Sequence, residues 1–471
     1  CSKWLDVSPE NQITDEDLYK DYNGFRNALN GVYRELSEQG LYGRELSWGF
    51  LSVLAQDYDV DRLYNAYPEA AAYNYDFEDN KAIIETIWTR MYNAVANCNK
   101  LIEEVKRKES SFFPLGAAEQ DLIHGEALAL RAFIHFDIAR LFAPSLSVDA
   151  NGAYVPYFTH YPSKYEVKRP TSEILTLVVE DLVEAEKLVA HFDTTYAEES
   201  ELYSAAYRYH PSDGTLGRFF ESRGIRLNYM AIHGLLARVY MYAGDEENAE
   251  KEARFVLEHF VADEGGVDAL RFATEEELTW GRNFQSKYMS EILFALYDRQ
   301  LTDLYDQYKV TTGTSFALKE AWPNYFTQDG EDIRVDVGEL VAETGLYNVR
   351  KWQEVDNPAQ SMVSDNFALI PILRLSEMYY IISECRYNAG DEAGAIDYLQ
   401  KVRDAYHADG RTIVGSQYWN ELLLDMQKEY LTEGQLFYYY KRRNIPITNG
   451  GMTITVGDKF VFPIPESEDV F

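Results

Sequence analysis

The sequence predicts a mostly α-helical fold, with helical hairpins carrying a less regular, loop-rich half that has little β structure. Three observations predict it. Apolar residues recur at three-to-four spacing over much of the chain. The tetrapeptide Ala-Gly-Asp-Glu occurs twice, at Ala243–Glu246 and Ala389–Glu392, each time between two helical patterns. The stretch 261–368 lacks that rhythm and is far longer than an ordinary loop, which marks it as functional or as a folded insert.

Residues 1–14, with Pro9, read as an extended lead-in. Helical spacing begins at Asp15 and passes through Tyr22, Phe25, Leu29, Val32, Tyr33 and Leu36. After Gly40 and Gly43 a mixed segment covers Trp48 to Tyr75. A helix follows from Asn80 to Lys106, with Ile83, Ile84, Ile87, Trp88, Met91, Tyr92, Val95 and Cys98 on one stripe. Ser110–Leu115 breaks the pattern, and another helix spans Ala117–Phe142, ended by Ala143-Pro144. The long loop from Ser145 holds Pro156, Pro162 and Pro170. Thr171 or Ser172 then caps a helix to about Phe192, with Glu173 in its first turn.

Tyr196–Gly224 reads as an insertion, and helices return over Arg226–Tyr242 and Glu246–Phe260. Within 261–368 the one plausible strand is Ile292–Tyr297. Helices resume over Ile370–Asn388, Glu392–Tyr406 and Trp419–Thr432, before an irregular tail. In both Ala-Gly-Asp-Glu copies an aromatic-rich helix precedes and an Ala-containing helix follows (Ala249, Ala395). Gly ends the first helix, and small residues let the antiparallel pair close around a tight turn. That is the grammar of tetratricopeptide-type hairpins. Asp137–Phe142 and Thr171–Ala185 form a third candidate pair, split by the long loop.

The 471 residues carry 44 Lys and Arg against 78 Asp and Glu, a net charge of −34. A surface this acidic repels phosphate backbones, so nucleic acid is excluded as a partner. Hydrophobic residues make up 46%, enough for a large core, and no run is long and apolar enough for a membrane span. Tyrosine, at 37, outnumbers the 24 Phe. Its ring packs while its hydroxyl stays wet, which suits helix interfaces and binding surfaces alike.

The cysteines, Cys1, Cys98 and Cys385, are odd in number and widely spaced, against a disulfide framework or a zinc site. Cys98 and Cys385 lie within helical patterns and read as buried, inert thiols. Cys1 stands where Met would begin a primary product, so it is read as the residue left by signal cleavage, lipidated on its sulfur and acylated on its amine. At about 0.8 kcal/mol per buried CH₂, several acyl chains hold a protein at a membrane. A chain cut at an arbitrary point is the other reading.

No catalytic signature is present: no HExxH, GxSxG, P-loop, helix-opening GxGxxG or Cys/His cluster. The chain is therefore expected not to be an enzyme, and no cofactor or metal is expected. Asp57-Tyr58-Asp59-Val60-Asp61 hints at a calcium loop but lacks its Gly and terminal Glu. Paired carboxylates for glycoside hydrolysis stay open, because sequence does not show which carboxylates meet. Binding needs only flat rings for sugar faces and polar tips for hydroxyls. Trp280, Trp322, Tyr325 and Trp352 supply rings; Asp329, Arg334, Asn348 and Arg350 supply tips. Each Trp is equally readable as a core plug.

Several segments together resemble the SusD/RagB family of Bacteroidetes outer-membrane nutrient-binding lipoproteins. Cys1-Ser2-Lys3-Trp4-Leu5-Asp6-Val7-Ser8-Pro9 is similar to that family's lipidated start. Gly125-Glu126-Ala127 through Arg131-Ala132-Phe133 to Phe136-Asp137 is similar to its GEA…RA…FD helix. Val155-Pro156 and Arg169-Pro170-Thr171 match the next landmark. The region around Ala389 matches its AEC/NAGD segment, with Ser383 where Ala is commoner. Glu433–Arg442 resembles EGqRffDlkR, with Leu436 and Tyr439 in place of its Arg and Asp. Phe462-Pro463-Ile464-Pro465 matches the terminal lPIP.

The resemblance implies one SusD-like domain over 1–471 with about four tetratricopeptide-like pairs. The scaffold would occupy mainly 15–142, 171–192, 226–260 and 370–432. The irregular, ligand-binding part would occupy mainly 43–79, 196–224 and 261–368. It implies a lipid-anchored protein on the exterior of the outer membrane, passing oligosaccharide to a SusC-type TonB-dependent transporter. By position, the ligand residues would be Asp57, Tyr58 and Asp59 with Trp280, Trp322, Tyr325, Arg350 and Trp352. Peptide capture of the RagB type and glycoside hydrolysis are the alternatives; the Trp content of the irregular half favours sugar.

Overall fold

The structure is a computed structural model and describes residues 15–205, 207–209, 215–261, 270–273, 287–311, 315–354, 366–449 and 452–466. Cys1 and Trp280, both singled out above, lie outside the described residues. The fold is mostly helical with small sheets only.

The first helices are α1 (Asp15–Leu18), α2 (Tyr22–Ser37), α3 (Phe50–Leu54), α4 (Tyr67–Ala71) and α5 (Glu78–Lys106). Next come α6 (Ala117–Phe142), α7 (Thr171–Thr195), α8 (Tyr229–Ala243) and α9 (Glu246–Phe260). The remainder are α10 (Leu301–Asp306), α11 (Leu375–Asn388), α12 (Glu392–Ala405), α13 (Tyr418–Glu429) and α14 (Gln435–Arg443). The described strands pair two by two, all antiparallel: β1 (Ala153–Val155) with β2 (Arg169–Pro170), and β3 (Ile292–Tyr297) with β6 (Leu369–Arg374). The others are β4 (Gly338–Val341) with β5 (Leu346–Val349), and β7 (Ile447–Asn449) with β8 (Met452–Ile454).

At the centre lies α6, buried on every side from Gly125 to Phe142, as a helix apolar all round must be. It packs between α5 and α7. Gly125 permits the approach to α7: a Cβ there would come within 2.8 Å of Val189 and 2.9 Å of Leu188. The buried charged members of α6 are each paired, as buried charges require. Arg131 donates to both carboxylate oxygens of Asp181 on α7 at 2.7 Å and to Asn99 of α5 at 2.9 Å. Glu126 accepts from Tyr33 at 2.7 Å and from Arg223. His135 stacks on Tyr157 at 3.9 Å, and burial pushes its pKa down to about 3, so it is a neutral core ring.

The two Ala-Gly-Asp-Glu copies form the α8–α9 and α11–α12 hairpins. Gly244 (φ +75°) and Gly390 (φ +85°) adopt the left-handed conformation that ends the first helix. Asp245 and Asp391 then cap the second, accepting from the amides of Asn248 (3.2 Å) and Gly394 (2.9 Å). Helix α9 lies against α11, so the hairpins stack, and α6 with α7 forms the third pair.

Three details differ from expectation. The helix expected from Ile370 begins at Leu375; the preceding apolar run is strand β6, whose Pro371 faces Ala295 of β3. Thr171 is the first residue of α7 rather than its cap, which is Pro170. Gln435–Arg443 is helical (α14), with Lys441, Arg442 and Arg443 in its last turn, where the helix dipole favours cations.

Candidate functional site

The sequence segments 57–62 and 315–352, some 260 positions apart, lie side by side. Asp59 donates its amide to Ala317 at 2.9 Å, Ser315 to Arg62 at 2.9 Å, and Lys319 to Asp57 at 3.2 Å. Leu318 donates in turn to the carbonyl of Tyr347 in β5 at 2.9 Å. The irregular half is thus built on a three-segment seam, although only a single bridge, Tyr58 to Leu318, is regular enough to count as strand pairing.

The inner side of this seam is packed. Tyr58 is 1% exposed and donates its hydroxyl to the Trp48 carbonyl at 2.6 Å. Trp322 (1%) and Trp352 (0%) are equally enclosed. Trp352 donates its indole N–H to the Thr432 hydroxyl at 2.8 Å, and the Thr432 amide donates to Asp57 at 3.0 Å. Asp57 is 2% exposed; burial pushes its pKa up to about 6, against the pull of Lys319 and the Thr432 amide. Trp322 meets Phe326 edge-on at 4.8 Å, and its N–H makes no hydrogen bond within the protein. The three other polar residues named with these rings are also interior. Asp329 binds Arg403 (3.0 Å) and Arg411 (2.8 Å), Arg334 binds Asp332 and Asp425, and Asn348 accepts from the Val310 amide at 2.6 Å.

The residues that reach solvent are different. Asp59 caps a short turn by accepting from the Asp61 amide at 3.1 Å, with its side chain 26% exposed beside Arg62. Tyr325 is half-buried, with the Lys319 ammonium 5.1 Å from its ring centre. Arg350, 26% exposed, faces Glu339 at 4.0 Å. Sequence reasoning missed a further pair: Tyr64 and Tyr308 stack at 5.9 Å and 24°, both half-buried. The Arg44 guanidinium lies 5.3 Å from the Tyr308 ring and donates to its hydroxyl at 2.5 Å. Tyr64 donates to the Gln307 carbonyl at 3.3 Å, and burial raises its pKa to about 12, so it remains a neutral donor. The tyrosine count was the one available signal; nothing in sequence joins position 64 to 308.

Two stacked rings with a guanidinium and hydroxyls at their edges present what a sugar face needs: flat apolar area and hydrogen-bonding groups around it. Among the described residues no group of three or more His, Cys, Asp or Glu is placed to hold a metal ion.

The model of the SusD family matches residues 298–466, and a second family model, described as starch-binding associating with outer membrane, matches residues 3–209. The chain belongs to the SusD family. SusD-like protein P38 of Formosa agariphila is 27% identical over 441 residues, covering 86% of this chain and 78% of that protein. SusD-like protein P2 of the same organism is 22% identical over 260 residues, which span 55% of this chain and 43% of the relative's length. A SusD superfamily protein from Bacteroides thetaiotaomicron superposes with a TM-score of 0.71 at 21% identity, covering 95% of this chain and 97% of the other. A SusD-like carbohydrate binding protein from Bacteroides vulgatus gives 0.70 at 15% identity, covering 95% and 96%. These likenesses establish the SusD fold. Within it the Glu433-Gly434 landmark has a structural role here: Glu433 is buried between Arg374, at the end of β6, and Lys351, beside Trp352.

Proposed function

We propose that this SusD-family chain captures an extracellular oligosaccharide and passes it to a SusC-type TonB-dependent transporter, held at the outer membrane by lipid on Cys1. The observation that carries the reading is the half-exposed Tyr64–Tyr308 stack with Arg44 at its edge. Asp59, Tyr325 and Arg350 extend the ligand surface along the seam, while Asp57, Tyr58, Trp322 and Trp352 hold it from behind. Carbohydrate binding in the name of the Bacteroides vulgatus relative supports the ligand class. Capture without turnover is supported by the burial of one carboxylate pair that does meet. Glu291 and Glu429, which converge on the Tyr406 hydroxyl, are 0% and 3% exposed, out of reach of a polysaccharide.

Calorimetric titration of the full chain against a panel of glycans and peptide mixtures tests this. Saturable glycan binding, weakened at least about tenfold by Tyr64→Ala or Tyr308→Ala, is expected for rings acting as binding anchors. Binding of peptides alone replaces the ligand class, and consumption of the ligand overturns capture without turnover.

A further inference from the structure

Helices α6, α8, α11 and α14, with the end of α13, enclose a cavity of about 70 Å³ on the hairpin side of the molecule. Four polar atoms of its lining residues make no hydrogen bond within the protein: Nη1 of Arg238 and the hydroxyls of Tyr242, Tyr430 and Tyr438. All four residues are deeply buried, at 6%, 5%, 5% and 3% exposure. Native interiors leave few polar groups unpaired, because each orphan keeps its desolvation cost. Four on one cavity mark a place built for a polar occupant.

The charges around it are already cancelled. Arg238 forks onto Glu377 at 2.6 Å and Arg442 onto Glu384 at 2.7 Å. Arg140 pairs with Asp137 and stacks on the Tyr438 ring at 3.6 Å. Lys441, buried beside Arg140, has its pKa driven well below the usual lysine value by desolvation. A net ion therefore finds no uncompensated opposite charge. What remains is a set of hydroxyls that both donate and accept, one guanidinium donor, and apolar walls from Met241, Ile381 and Met426. Met241, Tyr242, Glu384 and Arg442 also line a neighbouring cleft of about 280 Å³, which runs out past the exposed Ser147 and Asn388. The cleft falls just below the roughly 300–1,000 Å³ range of ligand pockets, so its occupant is small.

We propose that this chamber, together with the neighbouring cleft that shares four of its lining residues, is a second binding site, for a small neutral polyhydroxylated molecule between glycerol and a single sugar ring in size. It shares no residue with the Tyr64–Tyr308 surface and is independent of the reading given to that surface. Its hydroxyl groups meet Arg238, Tyr242, Tyr430 and Tyr438, and its C–H faces meet the thioethers.

The test is calorimetry of the full chain with glycerol, erythritol and glucose, followed by diffraction from crystals soaked in the tightest of the three. The triple variant Tyr242→Phe/Tyr430→Phe/Tyr438→Phe keeps the rings and gives up no hydroxyl bond made within the protein. It is expected to be at least as stable as the parent, since three unpaired buried hydroxyls are removed, and to bind the polyol at least about tenfold more weakly, as loss of several hydrogen bonds demands. Met241→Trp, which fills the chamber, is expected to abolish binding, while Tyr64→Ala leaves it unchanged. The proposal is overturned by no saturable binding of any probe, by density for water alone in the soaked chamber, or by full affinity in the triple variant. It is equally overturned if Tyr64→Ala removes the signal, which would then belong to the ring surface.

Discussion

Trp322 and Trp352 are enclosed to the same degree, 1% and 0% exposed, yet differ in one atom's partner. The indole N–H of Trp352 donates to Thr432, itself fully buried; the N–H of Trp322 makes no hydrogen bond within the protein. Replacing each by Phe removes similar ring area, so the burial and cavity contributions nearly cancel between the two variants. The hydrogen bond does not cancel. Trp352→Phe loses a bond worth about 1 kcal/mol and strands a buried acceptor, whereas Trp322→Phe deletes a buried donor whose desolvation costs about 1–3 kcal/mol. Trp352→Phe is therefore expected to be less stable than Trp322→Phe by about 2–4 kcal/mol, from the sum of those effects. Urea unfolding followed by far-ultraviolet circular dichroism, extrapolated linearly to water, measures the difference. If the Tyr64–Tyr308 face is the ligand surface, both rings lie behind it, and neither variant should change glycan affinity by more than about twofold, far below an anchor residue's share. Equal stability losses would refute the hydrogen-bond argument. A tenfold affinity loss with unchanged unfolding would put the ring in the binding site itself.

Other expectations follow from the same structure. Tyr64→Ala and Tyr308→Ala should each cost at least about 1.4 kcal/mol of glycan binding in calorimetry, the tenfold weakening of an aromatic anchor, without altering the circular dichroism spectrum. Glu291 has its pKa raised to about 8, by burial first and the Glu429 charge second. The folded state thus holds a proton that the unfolded chain releases near the ordinary glutamate value, so this group's contribution falls as pH rises from about 4.5 to 8. Glu291→Gln, which can still accept from Ala273 and meet Tyr406, should flatten that decline and be the more stable protein at pH 8–9 in urea titrations. Gly125→Val should push α6 off α7, where its first carbon already lies 2.8 Å from Val189; overpacking of this kind costs about 1–3 kcal/mol, read as a lower urea midpoint.

The helical part was legible because its signals are local. The stripe on α5, the Ala143-Pro144 stop after α6 and the paired Gly-Asp turns each act within one or two helical turns, and the structure places them where the spacing did. Strand β6 was missed because Leu369, Ile370, Ile372 and Leu373 run straight into the apolar stripe of α11, and a short apolar run reads equally as strand or buried helix. Much of the candidate site was illegible for a different reason. Composition shows that rings are present, but exposure is decided by contacts such as Thr432 with Trp352, 80 positions apart, or Tyr64 with Tyr308. The segments 57–59 and 322–352 do come together; which of their residues face outward could not be read from either segment alone.

Strand β6 ends at Arg374 and helix α11 begins at Leu375, with no connecting residue between them. The strand is stitched to β3 in the irregular half, and the helix is the first leg of a hairpin, so one strand–helix rod with no loop in it crosses from one half to the other. A rod of this kind has no loop to flex, so movement between its two ends is confined to the backbone torsions at Arg374–Leu375, where strand gives way to helix. If the molecule opens and closes over a partner, it should swing as a rigid door, with the hinge in its attachment to that partner. Fluorophores on Asp298 and Asn388, beyond the two ends of this rod, should keep a fixed separation through every state of the assembly.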